Sequence, residues 1–390
     1  MAQLYNFGNG SDGVLSVTSN TTHAPTDASC SGSSGSKSLS ATGSFSAGDI
    51  VLIHQTRGTG AGQWEVNTVA SYTTGTISLV HNMSYTYTDS GNSQAQVIVM
   101  PQYSGVNITA NLTAKAWNGN VGGIIPILCN GVATITGQII ADGLVGSRST
   151  SGSIGFNAQG GQGAGFWGGR GDRDGSHVQA EKGEGYVRAR FEPTLDDTSA
   201  NGNGGAGATY NNSNVNGGGA GGGNGTAGEN GNFSIGGTVY NNTTLTQMTF
   251  GGGGGGGGNG QNNSADVSGG GGGGGIIMVF AREIVCSSGY LLSRGGAGGN
   301  SSSADSGGRI ASGGGGAGGS ILLKGQTLSI GTNRIQTQGG DGPDNAGSGG
   351  KGRIRLETCS LTGSVSSTYY GSYSTSIGGK SYCGSLTSIL

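Results

Sequence analysis

The chain has 390 residues, 90 of them glycine and only five proline, and a formal net charge of −2. That balance gives no electrostatic case for nucleic acid or an anionic membrane surface, and the missing Gly-X-Y register excludes collagen. No apolar run approaches the roughly 18 residues of a membrane-spanning helix, so no membrane insertion is expected.

The first residues, MAQLYNFGNGSDG, lack a basic patch followed by an apolar stretch, so no secretory leader is expected. Residues 1–38 read as an N-terminal arm or attachment segment, with a short strand around Val14–Val17. Residues 39–101 read as a small antiparallel β-domain. Its strands are predicted at Ile50–Gln55, Trp64–Ala70, Ile77–Val80 and Gln96–Val99, with hairpin signals at Gly58–Gly62 and Thr74–Gly75. The stretch SGVNITANLTAKAWNGN then reads as an irregular coil.

Next come three stretches that align without a gap over 22 residues: Gly122–Gly143, Gly274–Gly295 and Gly318–Gly339. Apolar residues recur at the same four positions. They are Ile125, Ile127, Val132 and Ile139 in the first, then Ile277, Val279, Ile284 and Leu291. The third has Ile321, Leu323, Leu328 and Ile335, and a shorter copy keeps Ile354, Leu356 and Leu361. A fixed period of this length with β-branched residues and leucine inside marks a stacked repeat. The first two positions share one strand face, because side chains alternate with period 2. The fold class expected is therefore all-β, with the front domain followed over residues 102–365 by a short parallel β-helix-like solenoid. Residues 366–390 would be a cap or tail.

Insertions at 144–273, 296–317 and 340–350 leave the repeat after the same position, so they should project from one corner. Phe250 is followed by eight glycines and Ser268 by seven. Flexible linkers join domains, whereas these runs return into a regular repeat. The reading is that they form polyglycine-II helices, left-handed with three residues per turn. Such helices can pack closely where no side chain intervenes and can exchange backbone hydrogen bonds. Gly254, Gly272 and Gly315 represent the three longest runs.

Between Arg170 and Asp197 stand 12 of the 38 charged residues, so charge is concentrated at the start of the longest insertion. Phe166, Trp167 and Tyr186 flank or join it. With Arg170 they make either a contact patch, given the weight of aromatics and arginine in binding, or a solvated loop that balances its own charges. Asp172 and Asp174 before Gly175 lack the remaining ligands of a calcium loop, so no metal is expected. The cysteines (Cys30, Cys129, Cys286, Cys359, Cys383) are odd in number and without CxxC spacing, and read as structural thiols. Glycoside hydrolysis needs two carboxyls about 5 Å or about 6.5–9.5 Å apart. Asp142, Glu283 and Glu357 fall at different repeat positions, and no histidine accompanies a GxSxG motif. No enzyme activity and no cofactor are expected.

The segments FGGGGGGGGNGQNNSADVSGGGGGGG and RGGAGGNSSSADSGGRIASGGGGAGG resemble the polyglycine-rich adhesins at the tips of bacteriophage long tail fibres. The resemblance covers roughly residues 144–350. It implies a bundle of polyglycine helices in a virion tail fibre or tail tip, attached to other virion tail proteins. Distal loops would recognise a bacterial surface receptor, protein or glycan. The matching segments are Ala208–Asn216, Glu229–Phe250, Gln261–Ser268, Asn300–Arg309 and Asp341–Ser348, with Tyr210, Phe233 and Tyr240 as their clearest aromatics. The regular repeats and the β-rich front domain depart from that family. A structural protein of an extracellular fibre or cell-surface matrix is the alternative, and a solenoid polysaccharide depolymerase a weaker one.

Overall fold

Buried hydrophobic residues spaced by one repeat end up one above the next. In the computed structural model, Ile125, Ile277, Ile321 and Ile354 are in register, as are Ile127, Val279, Leu323 and Leu356. The structure describes residues 7–149, 155–173, 180–190, 198–208, 217–259, 266–301 and 311–377. These are all-β, with no α-helix among them.

Eight strands form one parallel sheet. Along its path lie β1 (Val14–Val17), Gly105–Ile108, Ile124–Ile135, Ile276–Val285, Ser320–Thr332, Arg353–Ser364 and Ser372–Ile377, with Gln102–Tyr103 pairing off the path. A second parallel sheet of five runs from β2 (Thr21–His23) through Asn111–Ala114, Gln138–Ile140 and Tyr290–Leu292 to Ile335–Gln336. Ile139, Leu291 and Ile335 align in it and share a core with the inward residues of the larger sheet.

Three expectations need correction. Val132 is 43 % exposed, and Ala133 pairs with Ile284 in its stead. The register shifts between Cys129 and Val132, where Asn130-Gly131 oppose the single Arg282, so one extra residue turns Val132 outward. The stretch 1–38 is not simply an arm, because β1 and β2 supply the first strand of each parallel sheet. Cys359 is disulfide-bonded rather than a thiol filler, whereas Cys30, Cys129 and Cys286 are free and buried. Cys383 lies outside the described residues.

Between the first and second strands of those sheets the chain closes a six-stranded barrel. It is made by β3 (Asp27–Ser31), β4 (Ser38–Ala41), β5 (Ile50–Arg57), β6 (Trp64–Thr73), β7 (Thr76–Leu79) and β8 (Gln94–Val99). The barrel thus begins before residue 39, with two polar, short strands that carry little apolar signal. β5 is buried at all eight positions. Val51 and Ile53 face the barrel core, while Ile50 and Leu52 join Ile124, Leu128, Ile276, Met278 and Leu322 on the outer face of the eight-stranded sheet. That sheet is therefore covered on both faces here, which explains the unbroken apolar runs IIPIL and IIMVF.

The glycine runs pack into one ordered bundle. Successive residues of the central run send their N–H groups to three neighbours in rotation. Gly251, Gly254 and Gly257 donate to Gly274, Gly271 and Ser268. Gly252, Gly255 and Gly258 donate to Gly223, Ala220 and Gly217, and Gly253 and Gly256 to Glu184 and Glu181. Its carbonyls accept from three further segments, through Ala317 and Gly314, Gly205 and Ala208, and Gly169 and Asp172. Each third residue returns to the same neighbour, so six strands of chain surround this one and leave its backbone polar groups paired. A methyl on Gly254, Gly272 or Gly315 would stand 2.1, 2.3 or 2.0 Å from the carbonyl oxygen of Gly314, Gln162 or Gly340. Only glycine permits such an approach.

Candidate functional site: the two ends of the glycine bundle

The bundle's near end is built against the barrel and the sheet. Phe166, Phe250 and Trp117 meet there edge to face, with centroids 5.3, 5.4 and 6.4 Å apart. Phe166 is fully buried, so it is a core residue and cannot touch a receptor. Trp167 is half-buried, donates from Nε1 to the carbonyl of Trp117 at 2.9 Å, and carries the Arg190 guanidinium 5.0 Å over its ring. Tyr186 stacks on Tyr240 at 3.5 Å between centroids, and the Tyr240 hydroxyl donates to the Ala61 carbonyl of the barrel. Sequence reasoning placed Tyr240 in a distal loop; instead the end of its segment, through Leu245, Met248 and Phe250, packs against the barrel and sheet.

Among the described residues of the charged island, Arg170, Glu181, Lys182 and Glu184 are engaged inside the protein; Asp174, Glu192, Asp196 and Asp197 lie outside the described residues. Arg170 pairs with Glu181, whose Oε2 also accepts from the Arg170 amide at 3.1 Å. Lys182 is buried and donates to Ser199 Oγ at 2.9 Å. Glu184 holds three modules together. Its carboxylate pairs with Arg57 of the barrel and accepts from the Trp117 indole at 3.0 Å and the Trp167 amide at 3.1 Å. Burial pushes this carboxyl above its ordinary range, while Arg57 and the two donors pull it back. Sequence reasoning missed this role. The only signal was an acid set between glycines, which in a run packed on all sides has no water to face.

The far end is different. Five pairs of described ends emerge there, flanking residues 150–154, 174–179, 209–216, 260–265 and 302–310. Small sheets tie these flanks together. Arg148–Ser149 pairs with Val267–Ser268, and Gly171–Arg173 lies between Gly155–Ala158 and Gly258–Asn259. Ala158, Val267 and Ala311 are buried among themselves, Arg148 pairs with Asp266, and Ser301 Oγ donates to the Asp266 carbonyl at 2.6 Å. Tyr210 lies outside the described residues. Phe233 sits in a separate turn, where Ser234 bridges Gly231, and is half-exposed. Its φ of +64° is unusual for a bulky residue.

Among the described residues, no cluster of three or more His, Cys, Asp or Glu side chains is placed to hold a metal ion. No helix among them is long and apolar enough to cross a membrane. No protein-family model, curated protein or solved structure matches the chain.

Proposed function

We propose that the chain is a virion-associated adhesin of a bacteriophage tail fibre or tail tip. In this reading the two parallel sheets are walls of a short β-helix-like solenoid, and the glycine runs are polyglycine-II helices. The three-residue return of their hydrogen bonds is the period of that helix. The receptor, a bacterial surface protein or glycan, meets the segments at the far end. The supporting observation is that five such segments depart from one end of a bundle whose glycine runs lie too close together for a Cβ. A support this stiff leaves little ordering loss for binding, which suits recognition. Other tail proteins would hold the opposite end.

The test replaces residues 209–216 and 302–310 with Gly-Ser segments of equal length. Binding of purified protein to a panel of bacterial cells should be lost, with the melting temperature kept. Undiminished binding by the double replacement would move the receptor site elsewhere. A parent protein that binds no cells but assembles into filaments would favour the extracellular-fibre reading.

A further inference from the structure

A cleft of about 420 Å³ opens between β3, β4 and the turn that holds Asn118. Its floor is made by Ala28, Cys30 and Ala41, which point into the barrel core. Strand alternation turns Ser29, Ser31, Ser40 and Thr42 the other way, into the cleft. Ser31 is directly opposite Ser40 in the β3–β4 ladder, so their hydroxyls form a cross-strand pair. Asp89 closes one side. Its Oδ1 accepts from Gln94 Nε2, which also donates to Ser29 Oγ at 3.2 Å and so fixes the carboxylate against the hydroxyls. Asn118 overhangs the opposite side, held by the amides of Asn120 and Val121, each 2.9 Å from its Oδ1. That leaves the Asn118 amide donors facing away from their own turn.

We infer that this cleft binds a neutral saccharide. Charge selects against the other ligand classes. An anion would meet the Asp89 carboxylate, and no lysine or arginine is among the residues that line the cleft. A divalent cation would find one carboxylate, already engaged, where calcium takes six to eight oxygens. An apolar ligand would strand the hydroxyls without partners. An extended peptide docks on an open sheet edge, and β3 and β4 have none, since each is paired on both sides within the closed barrel. A sugar hydroxyl both donates and accepts, so one ring can donate to Asp89, accept from Asn118 and bridge the Ser31–Ser40 pair. The volume lies in the usual range of about 300–1,000 Å³ for small-ligand sites.

The inference is independent of the far-end reading, because it concerns the opposite part of the molecule and a different readout. Saturation-transfer NMR on the full chain would be run with glucose, galactose, mannose and N-acetylglucosamine as probes. At least one should bind saturably with a dissociation constant of about 1 mM, and Asp89→Ala and Asn118→Ala should each weaken it about tenfold or more. Both positions are exposed, so the melting temperature should stay unchanged. Ser234→Ala, outside the cleft, should bind as the parent does. Absence of saturable binding by all four sugars overturns the inference, as does binding that survives both cleft substitutions. Preferential binding of an uncharged peptide such as tetra-alanine amide over every sugar overturns the ligand class.

Discussion

Replacing Gly254 by alanine tests whether the glycine runs are a packed solid or slack chain. The added methyl would stand 2.1 Å from the Gly314 oxygen and 2.5 Å from its carbonyl carbon. Carbon contacts are comfortable near about 3.5 Å, so the two runs must part by more than about 1 Å. The Gly314 amide now donates to Gly255 at 2.9 Å, and that separation takes the bond past its working length. Overpacking of this kind costs about 1–3 kcal/mol, and a buried backbone group left without its partner costs about 1–3 kcal/mol more. Together the expectation is about 2–6 kcal/mol of destabilisation. In slack chain the same change would stabilise by about 0.4–1 kcal/mol through the unfolded state. Calorimetry should show the melting temperature of Gly254→Ala, Gly272→Ala and Gly315→Ala falling by roughly 2–7 °C. Gly105→Ala, whose methyl would find nothing closer than 3.7 Å, should melt as the parent does. Equal or higher melting temperatures for all three bundle variants would refute close packing.

Two further perturbations read the junction of barrel, sheet and bundle. Glu184→Gln leaves the Arg57 guanidinium buried without its counter-charge and should cost about 3–5 kcal/mol in denaturant unfolding. The double change Arg57→Met with Glu184→Leu should recover much of that loss, and a double variant no better than the single one would refute the ion-pair account. Acid should loosen the same region. Burial holds His23 and His54 down to about 4, and the neutral His54 accepts at Nδ1 from Thr56 while donating at Nε2 to the Met248 carbonyl. The unfolded chain takes up these protons near 6.5, so between about 6.5 and 4 it binds more protons than the folded one. Stability should be full above that window, fall as pH drops through it, and level off below, by on the order of 3 kcal/mol per histidine. His54→Gln should flatten the fall measured by thermal melting across this range; an unchanged slope would remove His54 from the account.

Much of the architecture was legible because it rests on periodicity. Ile125, Ile277 and Ile321 had to share a face once side-chain alternation was granted, and glycine runs returning into a fixed repeat had to leave it at one corner. The hydrogen-bond period of three was foreseeable from glycine's own conformational preferences. Other features depended on which surfaces met. Val132 turned outward because an Asn130-Gly131 bulge is invisible in an ungapped alignment. Phe166 and Tyr240 read as recognition aromatics, yet the barrel covers them, and no local pattern states where a second module will dock. The described acids and lysine of the charged island looked like surface for the same reason. Glu184, Glu181 and Lys182 find their partners from Arg57 to Ser199, and only the closed fold removes the water that would otherwise have served them. The strands β3 and β4 were missed because their apolar residues are few, and the barrel's closure, not their own composition, holds them in place. Local chemistry thus determined the repeat and the packing of glycine. The tertiary structure decided which polar and aromatic groups lie inside, because burial depends on every surface at once.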